Sequence, residues 1–298
     1  ENAPRSPMSP GPYPVTGRDH GSVFIHEAKS PHISIVNTGV DLLNRFEDME
    51  PDRVDRANRI VRLTDWLQLA SHETDRLIVA AMLAEEPSPS PSRYWITANT
   101  LRALGLFQEL REIFGCPAED FAAFLGPLSV FGRGTERAQY DRIFNSGAAS
   151  SRPLVLDDRS FPVIPETAAD LLTVKQLCAG LGIDLETYFY LANLIAAAHG
   201  LTDLQCSLPI VSSFHRMVRL PRLLGITPIE AVLLLNLMGG QAWVNTLAGV
   251  PQINNQQSAE TPDVLSVMHA LMDCVQWAQT AELPVHWVVQ QASVWPPS

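Results

Sequence analysis

A helix-stop-helix pattern recurs along the chain, and it constrains the fold more than any other feature of the sequence. The clearest copy lies at residues 214–240, where Gly225 ends one apolar segment and Thr227 begins the next. Pro228 then occupies the first helical position, and Glu230 stands three residues after the cap, which is the pattern of a capping box with proline at its preferred place. The sequence therefore predicts paired helices joined by short turns.

Related copies lie at residues 66–78, 113–125, 181–194 and 277–290. The expected N-caps of the five copies are Ser71, Cys116, Asp184, Thr227 and Leu283. Their spacing is too uneven for a strict repeat, so only the helix pair recurs. We expect an all-α fold, arranged as an irregular helix-pair array similar to an α-solenoid.

The distribution of proline, glycine and apolar residues predicts four regions. Residues 1–20 form a flexible proline-rich arm, 21–125 a first helical lobe, 126–166 a loop-rich connector, and 167–298 a second helical lobe. A few short extended segments are expected near the N-terminus (22–28 and 32–36) and around 150–165, with helical patterning from about Val40. Both ends of the chain are expected to be cuts in a longer polypeptide.

Charge and composition exclude some classes of protein. The net charge is −11, and the stretch from 160 to 213 carries Lys175 as its single lysine or arginine, which argues against binding to nucleic acid. No run of 18 apolar residues predicts a transmembrane helix. Only 18% of the residues are charged, which fits either a large core or a surface buried against a partner.

Residues with catalytic or metal-binding chemistry are scattered, so we predict no catalytic residues, no cofactor and no metal site. The eight histidines lack an HExxH arrangement and are expected at the surface or at helix ends. The acidic pairs Glu85-Glu86 and Asp157-Asp158 are the one hint of acid–base chemistry, and they lie in or beside loops. An enzyme is therefore the least favoured alternative.

The tryptophans fall into two groups by their position. Those on apolar helical stripes are expected in the core: Trp66, Trp277 and Trp287. Those near helix breaks are candidate partner contacts: Trp95, Trp243 and Trp295.

Three segments carry a resemblance to a known family. The sequence YDRIFNS at 140–146, followed by PLVLD at 153–157, resembles a segment in the A components of bacterial insecticidal toxin complexes (Tc toxins), a family that includes the virulence plasmid A proteins. The segments 59–78 and 215–239 resemble two further helical elements of that family, the second beginning at His215-Arg216. The resemblance covers roughly residues 40–295 and departs from the family pattern at Pro221 and Ala231.

The resemblance implies a non-enzymatic part of the N-terminal α-helical shell region of a pentameric toxin-translocation component. It implies, as partners, the other A-component protomers of a homopentamer, and the B and C toxin components through the rest of the chain. A host-cell surface receptor is a candidate partner, whereas nucleic acid and membrane insertion by this segment are not expected. The implied location is secreted or on the bacterial cell surface.

Two further expectations remain open. One is an alternative function, a helical recognition module that binds a protein or a glycan. The other concerns pH, because the resemblance implies a shell that loosens when the pH shifts. If histidine protonation contributes, thermal stability changes between about pH 5 and pH 8.

Overall fold

A computed structural model of the chain describes residues 6–9, 23–26, 33–36, 39, 45–86, 95–133, 135–146, 152–254 and 262–292. Within these residues the chain forms twelve helices: α1 (Val23–His26), α2 (Pro51–Leu67), α3 (Ser71–Glu85), α4 (Ala98–Phe114), α5 (Ala118–Leu125), α6 (Gln139–Phe144), α7 (Ala168–Leu181), α8 (Leu185–Ala198), α9 (Leu208–Leu223), α10 (Pro228–Ala248), α11 (Val264–Thr280) and α12 (Val285–Ala292). The all-α fold is confirmed.

Four short strands form two antiparallel pairs. Strand β1 (Ser34–Val36) pairs with β2 (Arg45–Glu47), and β3 (Ser160–Phe161) pairs with β4 (Leu204–Gln205). The extended segments expected at 32–36 and around 150–165 are therefore confirmed.

Two expectations at the N-terminal end are wrong. Residues 23–26 form helix α1 instead of an extended segment, because the Asp75 carboxylate on α3 accepts hydrogen bonds from the backbone N–H groups of Val23 and Phe24, both at 3.0 Å. Such bonds satisfy the unpaired donors at a helix start. The helical stretch expected from about Val40 is also interrupted: residues 40–44 lie outside the described part of the chain, β2 occupies 45–47, and α2 begins at Pro51.

The helix starts follow the capping chemistry closely. Thr227 caps α10 as predicted: its hydroxyl accepts from the Glu230 backbone N–H at 3.2 Å, and the Glu230 carboxylate accepts from the Thr227 backbone N–H at 2.8 Å. Asp184 caps α8, accepting from the backbone N–H of Thr187 at 2.7 Å. The reciprocal pair at Thr227 and the single carboxylate at Asp184 fix where α10 and α8 begin.

The other three expected caps are wrong, two of them by one residue. Ser71 is already helical and Ala70 is the cap of α3, held because its N–H donates to the Glu73 carboxylate at 3.0 Å. Pro117 replaces Cys116 as the cap of α5, since the proline fixes an extended backbone there. Helix α12 begins at Val285, two residues after Leu283, so Leu283 is not its cap.

A single cluster of buried side chains runs through most of the helices, from Leu67 at the end of α2 to Val285 in α12. It includes Phe107 and Phe121 from the first predicted lobe and Phe214 from the second. A smaller cluster holds α1 against α2 and α3. The division into an arm, two lobes and a connector stays a prediction, and the described parts of both lobes share this core.

Helix α10 occupies the centre of the C-terminal half, where it packs against α8, α9, α11 and α12. In the part of the chain that the structure describes, it is the one helix with the length and apolar composition of a membrane span. Its backbone leaves helical geometry at Gly239 and Gly240, and Leu234, Leu235 and Leu247 lie in the core. These features are typical of a core helix.

Candidate functional site

The most unusual side chain in the core is Arg216, in the middle of α9, with 1% of its surface exposed. Its Nε donates to the carbonyl of Leu247 at 2.7 Å, and its Nη2 donates to the carbonyl of Gly249 and to the Ser213 hydroxyl at 3.2 Å. Those carbonyls lie at the end of α10, where the helix dipole is negative. Arg216 therefore ties the middle of α9 to the C-terminus of α10.

The charge of Arg216 is only partly compensated. No carboxylate among the described residues pairs with it, and its Nη1 has no hydrogen-bond partner. Burial lowers the pKa of the Arg216 guanidinium to about 9. A buried cation with unused donors is costly unless something accepts from them.

A cavity of about 280 Å³ lies beside this cation. Its wall is mostly apolar and comes from α3, the ends of α5 and α8, α9 and the segment after α10. The wall residues are Leu83, Leu125, Gly126, Pro127, His199, Pro209, Ser212, Ser213, Arg216, Gly249, Val250 and Pro251. The polar groups are concentrated at one part of the wall, where the His199 Nε2 lies 2.9 Å from the Ser213 hydroxyl. Burial and the neighbouring Arg216 lower the pKa of His199, which favours a neutral ring.

A second, more polar cleft of about 340 Å³ lies between α5, α6, α7 and α9. Glu119 pairs with Arg76 at 2.6 Å and also with Arg142, while Asp120 pairs with Arg219 at 2.7 Å. Arg222 donates to the carbonyls of Leu181 and Gly182 at the end of α7. The charges of this cleft therefore cross-link neighbouring helices.

His215 faces the same cleft and corrects an expectation about the histidines. It was expected at the surface or at a helix end, but it is buried in α9 with its ring 6.5 Å from that of Phe124. Desolvation lowers the pKa of His215 to about 4, with Arg219 and Arg216 acting in the same direction and Asp120 opposing them. The ring is therefore neutral near neutral pH.

The acidic pairs do not converge on a reactive centre. The carboxylate of Glu85 accepts from the Thr97 hydroxyl at 2.7 Å and from the Asn99 amide at 3.0 Å, so it holds the start of α4. Asp157 accepts from the backbone N–H of Arg159 at 3.1 Å, inside its own loop. Each of these carboxylates has a structural contact.

The three tryptophans expected in the core are exposed, and that expectation is wrong. Trp66, Trp277 and Trp287 have 58%, 54% and 44% of their surfaces exposed. Each residue of an α-helix is rotated by about 100° from the previous one. Trp66 therefore lies away from the buried stripe that Leu67 marks, and Trp277 lies away from the stripe that Ala278 marks.

The three candidate partner contacts have different surroundings. Trp95 is about half exposed, with the guanidinium carbon of Arg56 at 5.0 Å from its ring centroid, a cation–π contact. Trp243 is partly buried in α10 and packs against the core and Gly239. Trp295 lies outside the described residues. Neither Trp95 nor Trp243 lines one of the two cavities described above.

Sequence reasoning missed the Arg216 site. The one available signal was an arginine within an apolar helical stripe, between Phe214 and Met217, both of which are buried. The acceptors are backbone carbonyls more than 30 residues away, as in the Leu247 bond, and backbone groups carry no residue signature.

Comparisons with known proteins identify relatives. The chain is 31% identical over 270 residues to toxin subunit YenA1 of Yersinia entomophaga, a match that covers 90% of this chain and 22% of that protein. No protein-family model matches the chain. The chain thus spans about a fifth of the length of this curated relative.

Two solved structures have a similar fold. A cryo-EM structure of Yersinia pseudotuberculosis TcaA-TcaB superposes with a TM-score of 0.53 and 17% identity, covering 76% of this chain and 11% of that one. A cryo-EM structure of Morganella morganii TcdA4 superposes with a TM-score of 0.58 and 14% identity, covering 86% of this chain and 10% of that one. At such identities the two structures support the fold, and the YenA1 match supports the family. The chain therefore belongs to the A-component family of the bacterial insecticidal toxin complexes (Tc toxins), and it matches one segment of such a protein.

Proposed function

We propose that this chain is a non-enzymatic structural part of a pentameric toxin-translocation component. In this proposal its helices form part of the outer shell around the channel and contribute to attachment to the host cell. The observation that carries the proposal is the 270-residue match to toxin subunit YenA1, together with the shared helical fold of two toxin-complex structures.

The bonding pattern of the charged groups supports a structural role. Arg216 and Arg222 both use their guanidinium groups on carbonyls at the ends of neighbouring helices. Glu119 and Asp120 connect α5 to arginines on α3, α6 and α9. Such cross-links make a stack of helices stiff, as a protective wall requires.

The partners follow from the same proposal. The other protomers of a homopentamer contact this segment or its continuation, and the B and C components bind through the rest of the polypeptide. The complete protein is secreted or displayed on the bacterial surface, and a host-cell receptor is its external partner.

A leakage experiment tests the structural role. The 298-residue chain is incubated with dye-filled anionic and neutral liposomes between about pH 5 and pH 8, the range over which histidines titrate. We expect no dye release at any pH, because α10 packs against four other helices and buries Leu234, Leu235 and Leu247 in the core. A detergent-treated sample gives the full release. Dye release by the folded chain would contradict the proposal.

A second candidate function is a recognition module, and the exposed tryptophans favour it. Trp277 and Trp287 lie on either side of the turn that joins α11 to α12, and exposed aromatic side chains are frequent anchors of interfaces. The test measures how much of the chain binds to host-cell membranes and compares it with the double variant Trp277→Ala, Trp287→Ala. Leu101→Ala, at an equally exposed residue on α4, is the control. Binding that only the tryptophan variant loses would favour recognition over a passive wall.

A further inference from the structure

The cavity beside Arg216 combines a mostly apolar wall with one buried cation. Its wall carries three prolines, Pro127, Pro209 and Pro251, together with aliphatic side chains. One member of the wall is a fully buried guanidinium whose Nη1 has no acceptor. An apolar chamber with one cationic group is suited to a ligand that has an apolar body and a single negative charge.

The surroundings of the guanidinium favour an anion over a neutral ligand. No described carboxylate pairs with Arg216, and its three protein acceptors are two backbone carbonyls and a hydroxyl. The lowered pKa of His199 favours a neutral ring, which contacts the Ser213 hydroxyl. Unlike a carboxylate, this ring neither pairs with Arg216 nor repels a bound anion. A carboxylate would supply the missing negative charge and accept from Nη1.

The size and opening of the cavity limit the apolar part of the ligand. A volume of about 280 Å³ is large enough for a short aliphatic chain and below the size of most drug-binding pockets. Val250, in the wall, has 56% of its surface exposed, so the cavity meets solvent beside this residue. Pro127 and Pro209 in the wall are also exposed, whereas Leu125 is buried.

We propose that this cavity is a binding site for a short aliphatic monocarboxylate, whose tail contacts Leu83, Leu125 and the three prolines and whose carboxylate accepts from the Nη1 of Arg216. The site adds a ligand to the structural role and does not depend on that role. Because such a ligand binds the folded chain, it also raises the melting temperature.

Calorimetric titration of the 298-residue chain with octanoate, below its micelle concentration, tests the site. Octanol supplies the same tail without the charge, and acetate supplies the charge without the tail. We expect saturable binding of one octanoate, with an affinity roughly tenfold or more above that of either comparison molecule, as one charge-assisted bond supplies. Equal affinities for octanoate and octanol, or no saturable binding of octanoate, would overturn the proposal.

Two variants locate the bound molecule. Val250→Trp places a larger side chain at the exposed wall of the cavity and reduces the room for the octanoate tail. We expect it to weaken octanoate binding roughly tenfold or more. Val61→Trp, at a residue 55% exposed on α2, is the matched control and keeps the wild-type affinity. Unchanged octanoate binding by Val250→Trp would place the molecule elsewhere and contradict the proposal.

Arg216→Met removes the cation while keeping a long side chain. Arg222→Met is the control, because Arg222 is also in α9 but donates to the carbonyls at the end of α7. We expect Arg216→Met to bind octanoate and octanol alike, while Arg222→Met keeps the preference for octanoate. Retained preference in a folded Arg216→Met chain would refute the assigned role of Arg216. If that variant does not fold, the Val250→Trp and Val61→Trp pair decides the question.

Discussion

The indole ring of Trp243 lies against Gly239, four residues earlier in α10. A Cβ atom added at Gly239 would lie 2.0 Å from two atoms of that ring, far closer than real atoms approach. Gly239 and Gly240 both leave helical geometry, and Gly240 has a φ of 64°, in the left-handed region that favours glycine. The tryptophan thus fills the space that the glycine leaves at the break of the helix.

Substitution at this break tests the packing. We expect Gly239→Ala to lower the free energy of unfolding by about 2 kcal/mol, since the added methyl group forces the ring of Trp243 to move. Gly105→Ala in α4 is the matched control, because nothing lies within 4 Å of its added Cβ. The control is expected to gain about 0.5–1 kcal/mol from helix propensity. Urea denaturation measures both, and equal effects would contradict this explanation of the break.

The cap of α10 gives a second test. Thr227→Ala removes the hydroxyl that accepts from the Glu230 backbone N–H, and it is expected to cost about 1 kcal/mol of unfolding free energy. Thr280→Ala, at the end of α11, removes a hydroxyl that donates to the Gln276 carbonyl of that helix, and it is expected to cost less. Denaturant titrations of the two variants rank them, and a larger loss for Thr280→Ala would be inconsistent with the capping role.

The Asp75 carboxylate holds the start of α1 to α3, in addition to the packing of Phe24. Asp75→Asn weakens the charge-assisted bonds to the N–H groups of Val23 and Phe24, so amide hydrogen exchange at these two residues should accelerate roughly tenfold or more. Asp65→Asn, at an exposed residue of α2, is the control and should leave their exchange unchanged. Unchanged exchange in Asp75→Asn would show that the other contacts of α1, such as the packing of Phe24, hold the helix without this carboxylate.

His215 predicts how stability depends on pH. Its folded pKa is about 4, below the ordinary value of 6.5, so between these values the unfolded chain binds a proton that the folded chain does not. The stabilisation is therefore present above pH 6.5 and is lost as the pH falls towards 4. His199 shifts in the same direction and adds to the loss. For His215 alone, we expect about 2 kcal/mol less stability at about pH 5 than at about pH 7.

The variant His215→Gln separates this residue from the others. It should reduce the loss of unfolding free energy between about pH 7 and pH 5, while His286→Gln, at an exposed residue of α12, should leave the loss unchanged. Guanidinium denaturation at the two pH values measures the difference. A wild-type pH dependence in His215→Gln would exclude His215 as its source.

The elements that the sequence predicted well are those with local chemical signals. Thr227, Pro228 and Glu230 lie within four residues of one another, so their capping box is visible in the sequence and is present in the structure. The predicted burial of Trp66 and Trp277 is wrong because each lies one residue, about 100° around the helix, from a buried position. Hydrophobicity alone does not distinguish such neighbouring positions.

Long-range contacts account for most of what the sequence did not predict. The bond from Asp75 to Phe24 spans 51 residues, and the one from Arg216 to Leu247 spans 31. No sequence spacing predicts either contact. In each bond one partner is a backbone group, which any residue type could supply. The candidate cavity depends on segments from α3, α5, α8, α9 and α10 meeting in space, which only the fold determines.

The shell role has one direct test, a chimera in which this chain replaces the matching 270-residue segment of YenA1, analysed by cryo-EM beside unmodified YenA1. We predict assembled particles in which the density of this segment lies in the outer helical wall, away from the central axis. Assembled particles in which this segment lines the channel, or hangs free of the wall, would contradict the structural role proposed for the chain.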